Sequence, residues 1–252
     1  MHRSSDIRGY QLQAKDGDVG TIDDLLFDDR HFVLRWVVVD TGTWLPGRKV
    51  LLPPSALKTP DMTKREYITD LTCEQIKAAP GLETDKPVSR QLEVDIFHHY
   101  SWNPYWYGTF GAPLTVDMGF PVPPADLDQS DAPQHKTEGD PHLRSVDEVT
   151  GYYVEATDGG IGHIEDFMVD EDNWTIRYLM IDTKNWWPGK MVLVSPDWLT
   201  DIAWTDRKVF VDVTRDKVKG SPEFRESTTV NRDYEERMYA HYGVHPYWSG
   251  WA

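Results

Sequence analysis

The side chains whose types and spacing could do chemistry are carboxylates and histidines. Asp23, Asp24, Asp28 and Asp29 crowd together, and Glu165, Asp166, Asp170, Glu171 and Asp172 echo that run further along the chain. Oxygen ligands at such density suit Ca²⁺ or Mg²⁺. The run lacks the Asp-x-Asp-x-Asp-Gly order of a calcium loop, however, and Asp24 and Asp28 straddle a strand rather than wrap a turn. Turn formation and ion pairing are therefore expected here, with Asp24, Asp28, Asp166 and Asp170 kept as the acidic metal candidates. His241 and His245 stand four residues apart, which is a helical ligand spacing, yet Gly243 between them should end the helix. Of His98, His99, His241 and His245, only His99 and His241 occupy matching positions, where a histidine in a last helical turn complements the helix dipole.

Arg35 and Arg177 each sit near the start of an otherwise apolar strand. By parity Arg35 shares a face with Val37 and Val39, and Arg177 with Leu179 and Ile181. A charge on such a face needs a partner. Arg35 is predicted to pair with Asp24, Asp28 or Asp40, and Arg177 with Asp166, Asp170 or Asp182. No Gly-x-Ser-x-Gly, phosphate loop, dinucleotide fingerprint or His-Glu-x-x-His occurs, and the single cysteine, Cys73, has no counterpart in the second copy. Without a nucleophile, base and orienter to nominate, the expectation is a non-enzyme with no cofactor.

Aromatic residues carry the remaining signal. Trp44, Trp186 and Trp187 stand in Pro-Gly loops, and Tyr105, Trp106, Tyr247 and Trp248 close two similar stretches of chain. Aromatics in loops mark interaction surfaces. The alternative is that each Pro-Tyr-Trp tail folds back over an open sheet edge.

The elements that position these residues come in two sets. An offset of 142 residues lays Gly9 on Gly151 and Gly108 on Gly250 without a gap, and about 34 of the 100 aligned positions are identical. GYQLQAKDGDVGTIDDLLFDD is echoed by GYYVEATDGGIGHIEDFMVDE, and HHYSWNPYWYG by AHYGVHPYWSG. Within each copy, Asp16-Gly17 and Asp158-Gly159 read as hairpin turns. Val33 to Asp40 and Thr175 to Asp182 read as strands apolar on both faces. Short strands follow at Val50 to Leu52, Tyr67 to Asp70, Val192 to Val194 and Val209 to Asp212. Thr72-Cys73-Glu74-Gln75 fits a capping box, and Ser89 and Asn231 fit N-caps of helices running to Tyr100 and Tyr242. The predicted fold is mainly β with short helices: two tandem small β-barrels, each followed by a C-terminal helix. The predicted division is 1–108 for the first domain, a Pro-rich acidic linker at 109–142, and 143–252 for the second.

The formal charge is −16, divided as −3, −5 and −8 among those three segments. An acidic field repels phosphate backbones and anionic lipid, so nucleic acid is not an expected partner. No long apolar run or secretion signal is present, which predicts a cytoplasmic protein without membrane insertion.

The order G-x4-A-x-DG-x2-G-x-I-x-D-x3-D, a strand ending in Asp-Thr, a Trp-containing Pro-Gly loop, a short strand and then Pro-x2-Leu resembles the PRC-barrel family. The closing helix with Pro-Tyr-Trp is similar to tails on stand-alone bacterial members. The resemblance spans about 70 residues of each copy and implies a β-barrel used for docking and assembly, with no shared catalytic residues. The expected role is thus protein–protein interaction with an unidentified protein partner, or homo-oligomer formation through barrels or tails. The alternative is a small-ligand or divalent-metal binding module.

Overall fold

The computed structural model describes residues 1–43, 45, 48–81, 88–102, 140–183, 189–225 and 228–249. From the N-terminus come β1 (His2–Arg3), α1 (Ser4–Ile7), β2 (Gln11–Ala14), β3 (Gly17–Asp28), β4 (Val33–Asp40), β5 (Lys49–Leu52), β6 (Glu66–Ile68), α2 (Cys73–Ala78) and α3 (Arg90–Tyr100). The order then begins again with β7 (Leu143–Ser145), α4 (Val146–Val149), β8 (Tyr153–Ala156), β9 (Gly159–Asp170), β10 (Thr175–Asp182) and β11 (Met191–Val194). It ends with β12 (Leu199–Ala203), β13 (Lys208–Val211), α5 (Arg215–Gly220) and α6 (Arg232–Tyr242). The chain is mainly β, with a large mixed sheet and a few short helices. Among the described residues, no helix is long and apolar enough to cross a membrane.

The chain gathers into two compact units. The first comprises Met1–Tyr10, Ile22–Val37 and Arg144–Ala252, and the second Gln11–Thr21 and Val38–Leu143. The first unit thus draws on both copies of the repeat.

In the first unit the strands run β12-β13-β8-β9-β10-β4. All neighbours are antiparallel except β13 and β8. The two-residue strand β1 pairs with β9, β7 pairs with β3, and β11 flanks β10. Ile176, Tyr178, Leu179, Met180 and Ile181 are all buried, so β10 is covered on both faces, as its unbroken apolar run requires. Asn231 caps α6 by accepting from the Tyr234 amide, and Gly243 ends the helix in the left-handed conformation. Gly162 lies where β9 approaches the end of β10 so closely that a Cβ would meet the Asp182 carbonyl.

In the second unit β2 lies between the start of β3, joined through the Asp16-Gly17 turn, and the parallel strand β6. Where β12 stands in the second copy, the first has only isolated bridges from Leu57 to Thr69 and from Asp61 to Glu66. Pro60, which lacks an N–H to donate, falls within that stretch. Thr72 and Gln75 form the reciprocal capping box on α2, and Ser89 accepts from the Leu92 amide to start α3. Arg48 donates to the carbonyls of Lys77 and Ala79, placing a cation on the C-terminal end of α2.

Candidate functional site

The acidic run of the sequence resolves into two structural jobs. Asp24 and Asp166 are anchors for short N-terminal segments. The Asp24 carboxylate accepts from Ser145 Oγ at 2.5 Å and from the Asp147 amide at 3.2 Å, at the start of α4. Asp166 accepts from Ser4 Oγ, from the Ser5 amide at 3.2 Å and from Ser5 Oγ at 2.5 Å, at the start of α1. Helix N-termini present unpaired N–H groups, and a carboxylate is the natural acceptor for them. Burial holds Asp24 above the ordinary aspartate range, although the donors from Ser145, Leu25 and Asp147 pull the other way.

Asp28 and Asp170 take the arginines. The Arg35 guanidinium lies against Asp28, their side chains 4% and 0% exposed. Asp28 also accepts from the Arg30 and His31 amides. In the second copy Arg177 Nε donates to Asp170 at 3.0 Å, with both side chains a little under a fifth exposed. Only Arg35 lies on a covered face, since the register shifts at Ile176/Tyr178 and leaves Arg177 partly open, but a strand-end aspartate supplies the counter-charge in each case.

His241 and His245 are not brought to a common point. His241 Nε2 is 2.7 Å from the Lys217 carbonyl, and His99 Nε2 is 2.8 Å from the Gln75 carbonyl. Each therefore bridges the last helix of its copy to the short helix before it, while His245 is exposed beyond Gly243. Among the described residues, the side chains that do converge as metal ligands are His163, Glu165 and Asp182, whose ligand atoms lie within 4.8 Å of one another. Alternation along β9 puts His163 and Glu165 on one face, and the antiparallel register sets Asp182 opposite His163.

Trp44, Trp186, Trp187, Tyr105 and Trp106 lie outside the described residues, as does the linker through residue 139. Tyr247 and Trp248 are described, and they fold back onto α6. The Arg177 guanidinium stacks 4.2 Å from the Tyr247 ring centroid, and that of Arg232 lies 3.7 Å from Trp248. Beneath them lies Glu235, 3% exposed, which accepts from Tyr178 Oη at 2.6 Å and from Tyr247 Oη at 3.2 Å. Burial, then the Glu235 contact, drives the Tyr178 phenol far above its ordinary value, so it remains a neutral donor. Glu235 is a residue that sequence reasoning missed. Its signal was present: Glu235, Met238, Tyr239 and Tyr242 form one helical stripe, all buried.

A groove of about 530 Å³ opens in the first unit beside β12. Arg30, His31, Arg177 and Tyr247 wall it on one side, and Thr200 and Ile202 of β12 on the other. Among the described residues β12 pairs with β13 alone, and Leu199, Thr200, Asp201 and Ile202 of β12 line this groove. Asp201 Oδ1 accepts from the Ile202 amide at 2.8 Å, a side-chain stand-in for part of a missing neighbouring strand.

No curated protein matches the chain. Residues 1–72, which carry the Asp-Gly hairpin, the Asp24 anchor and the buried Asp28–Arg35 pair, match the family model of the PRC-barrel domain.

Proposed function

We propose that the protein is a non-catalytic docking module: two tandem PRC-barrel-like domains, at 1–108 and 143–252, that bind a protein partner in the cytoplasm of a bacterium. The observation that carries this reading is the groove beside the one-sided strand β12. An extended segment of a partner can add to such an edge through main-chain hydrogen bonds, with neighbouring pockets selecting its side chains. Arg177 and Tyr247, stacked on each other at the wall, offer it a rigid cationic and aromatic surface. The edge is testable. Thr200→Lys with Ile202→Lys places charges along it, the device by which natural edges refuse strands. Capture from native cell extract on the wild-type protein should recover a specific partner, and the double variant should recover at least tenfold less with an unchanged Tm. Equal recovery on both would sink the reading.

A second reading, a divalent-metal binding module, is favoured by the convergence of His163, Glu165 and Asp182. One imidazole and two carboxylates suit Zn²⁺ or Mn²⁺ better than Ca²⁺, which prefers oxygen alone. Such binding should stabilise the fold by about 2.7 kcal/mol at a hundredfold excess over Kd. A rise in Tm with Zn²⁺ or Mn²⁺ that His163→Ala abolishes would support this reading. No shift with either cation would remove it.

A further inference from the structure

Several contacts between the two copies inside the first unit come in reciprocal pairs, although the ion pair of Arg8 with Asp147 has no counterpart. β1 lies on β9, with His2 opposite Val169 and Arg3 opposite Met168, and β7, displaced by the repeat offset of 142 residues, lies on β3. The Ser5 amide donates to Asp166 and the Asp147 amide, its counterpart, to Asp24, the counterpart of Asp166, while hydroxyls from non-equivalent serines, Ser4, Ser5 and Ser145, reinforce the two anchors. His2 pairs with Glu171 at 3.1 Å, and the matching residues Arg144 and Asp29 pair at 3.3 Å. Between β4 and β10 the Leu34 amide donates to the Trp174 carbonyl at 2.8 Å, and the Ile176 amide to that of Phe32 at 2.7 Å. At the centre Val33 faces Thr175, its own equivalent in the repeat.

A set of main-chain contacts in which residue i meets j′ and j meets i′, with one residue facing its own counterpart, is the signature of a two-fold isologous interface. The seam is also apolar, as stable dimer interfaces are: Phe27 and Phe167 are fully buried with ring centroids 6.0 Å apart, and Ile7 of α1 and Val146 and Val149 of α4 are buried as well. We propose that this face is a self-complementary dimer interface, closed here within one chain. When the covalent link is cut, it will pair one half of a chain with the half of a second copy. The proposal stands on this reciprocity and is independent of the groove beside β12.

The test uses the full chain. A recognition sequence for a specific protease is inserted between Gln129 and Ser130, and the folded, purified protein is cut to completion. Native mass spectrometry and size exclusion should find the two fragments still in a single two-fragment complex. Mixing equal amounts of cut isotope-labelled and cut unlabelled protein should then yield complexes with one labelled and one unlabelled fragment, approaching about half of the total, because a linked partner no longer enjoys a raised effective concentration. Asp24→Ala with Asp166→Ala should raise the dissociation constant of the cut complex at least tenfold, and Asp24→Asn with Asp166→Asn, which keeps an acceptor, should recover most of the loss. Circular dichroism of the uncut variants checks that they fold. Fragments that run apart as separate species at tens of micromolar would overturn the proposal, and so would a cut complex indifferent to the alanine pair.

Discussion

Replacing Asp28 by alanine is expected to lower the free energy of unfolding by about 3–5 kcal/mol, because it takes the buried carboxylate away from the Arg35 guanidinium on a sealed face. Both side chains are almost wholly removed from solvent. The amides of Arg30 and His31 also lose the acceptor that shapes the turn after β3. The second copy supplies the comparison. Asp170→Ala breaks the equivalent pair, but Arg177 retains access to water and the Tyr247 ring, so its loss should be at least twofold smaller. Replacing both partners, Asp28→Leu with Arg35→Met, should regain most of what Asp28→Ala loses, since an apolar pair of similar volume has no ion to desolvate. Urea unfolding of the four proteins measures all of this. Equal losses at Asp28 and Asp170 would show that burial is not what sets the cost.

The second large effect is expected at Gly162. Its φ is +145°, a region that side chains avoid, and a Cβ there would run into the Asp182 carbonyl. Neither obstacle can move cheaply, because the carbonyl is main chain held at the end of the β9–β10 pairing, where Asp182 lies opposite His163. Gly162→Ala should therefore cost about 3 kcal/mol through overpacking and backbone strain combined. Gly151 separates the two causes: its φ is also positive, at +86°, but nothing lies within 4 Å of a Cβ built on it. Gly151→Ala should cost only about 1 kcal/mol. If the two variants unfold at the same urea concentration, the close approach contributes nothing.

What was legible in the sequence was local or had a period. The Asp-Gly hairpins, the doubly apolar strands and the caps at Thr72, Ser89 and Asn231 depend on residues a few positions apart. The partner of each of Arg35 and Arg177 was among the three aspartates nominated for it, but only Arg35 lies on a covered face: the register shifts at Ile176/Tyr178, and Arg177 is left partly open. The short segments β1, α1, β7 and α4 left no trace, because two-residue strands and four-residue helices are too brief to show periodicity. Without them Asp24 and Asp166 looked like surplus acids: the serines they hold lie more than a hundred residues away in sequence. Strand β12 was hidden for another reason. The second copy alone forms it, and the equivalent stretch of the first holds Pro60, which has no N–H to donate, so the repeat carries no shared strand pattern there.

The seam in which Val33 faces Thr175 also bears on how the protein can change. In an association of identical chains every substitution on the two-fold axis appears twice and meets itself, so a favourable asymmetric pair can never arise. Joining the copies in one chain lifts that restriction. A β-branched hydrocarbon now faces a hydroxyl-bearing residue across the axis. One arginine–aspartate pair is sealed while its twin borders a groove. Each side is free to change by itself, and under the docking function proposed above one would serve as a rigid frame and the other as the face for a partner.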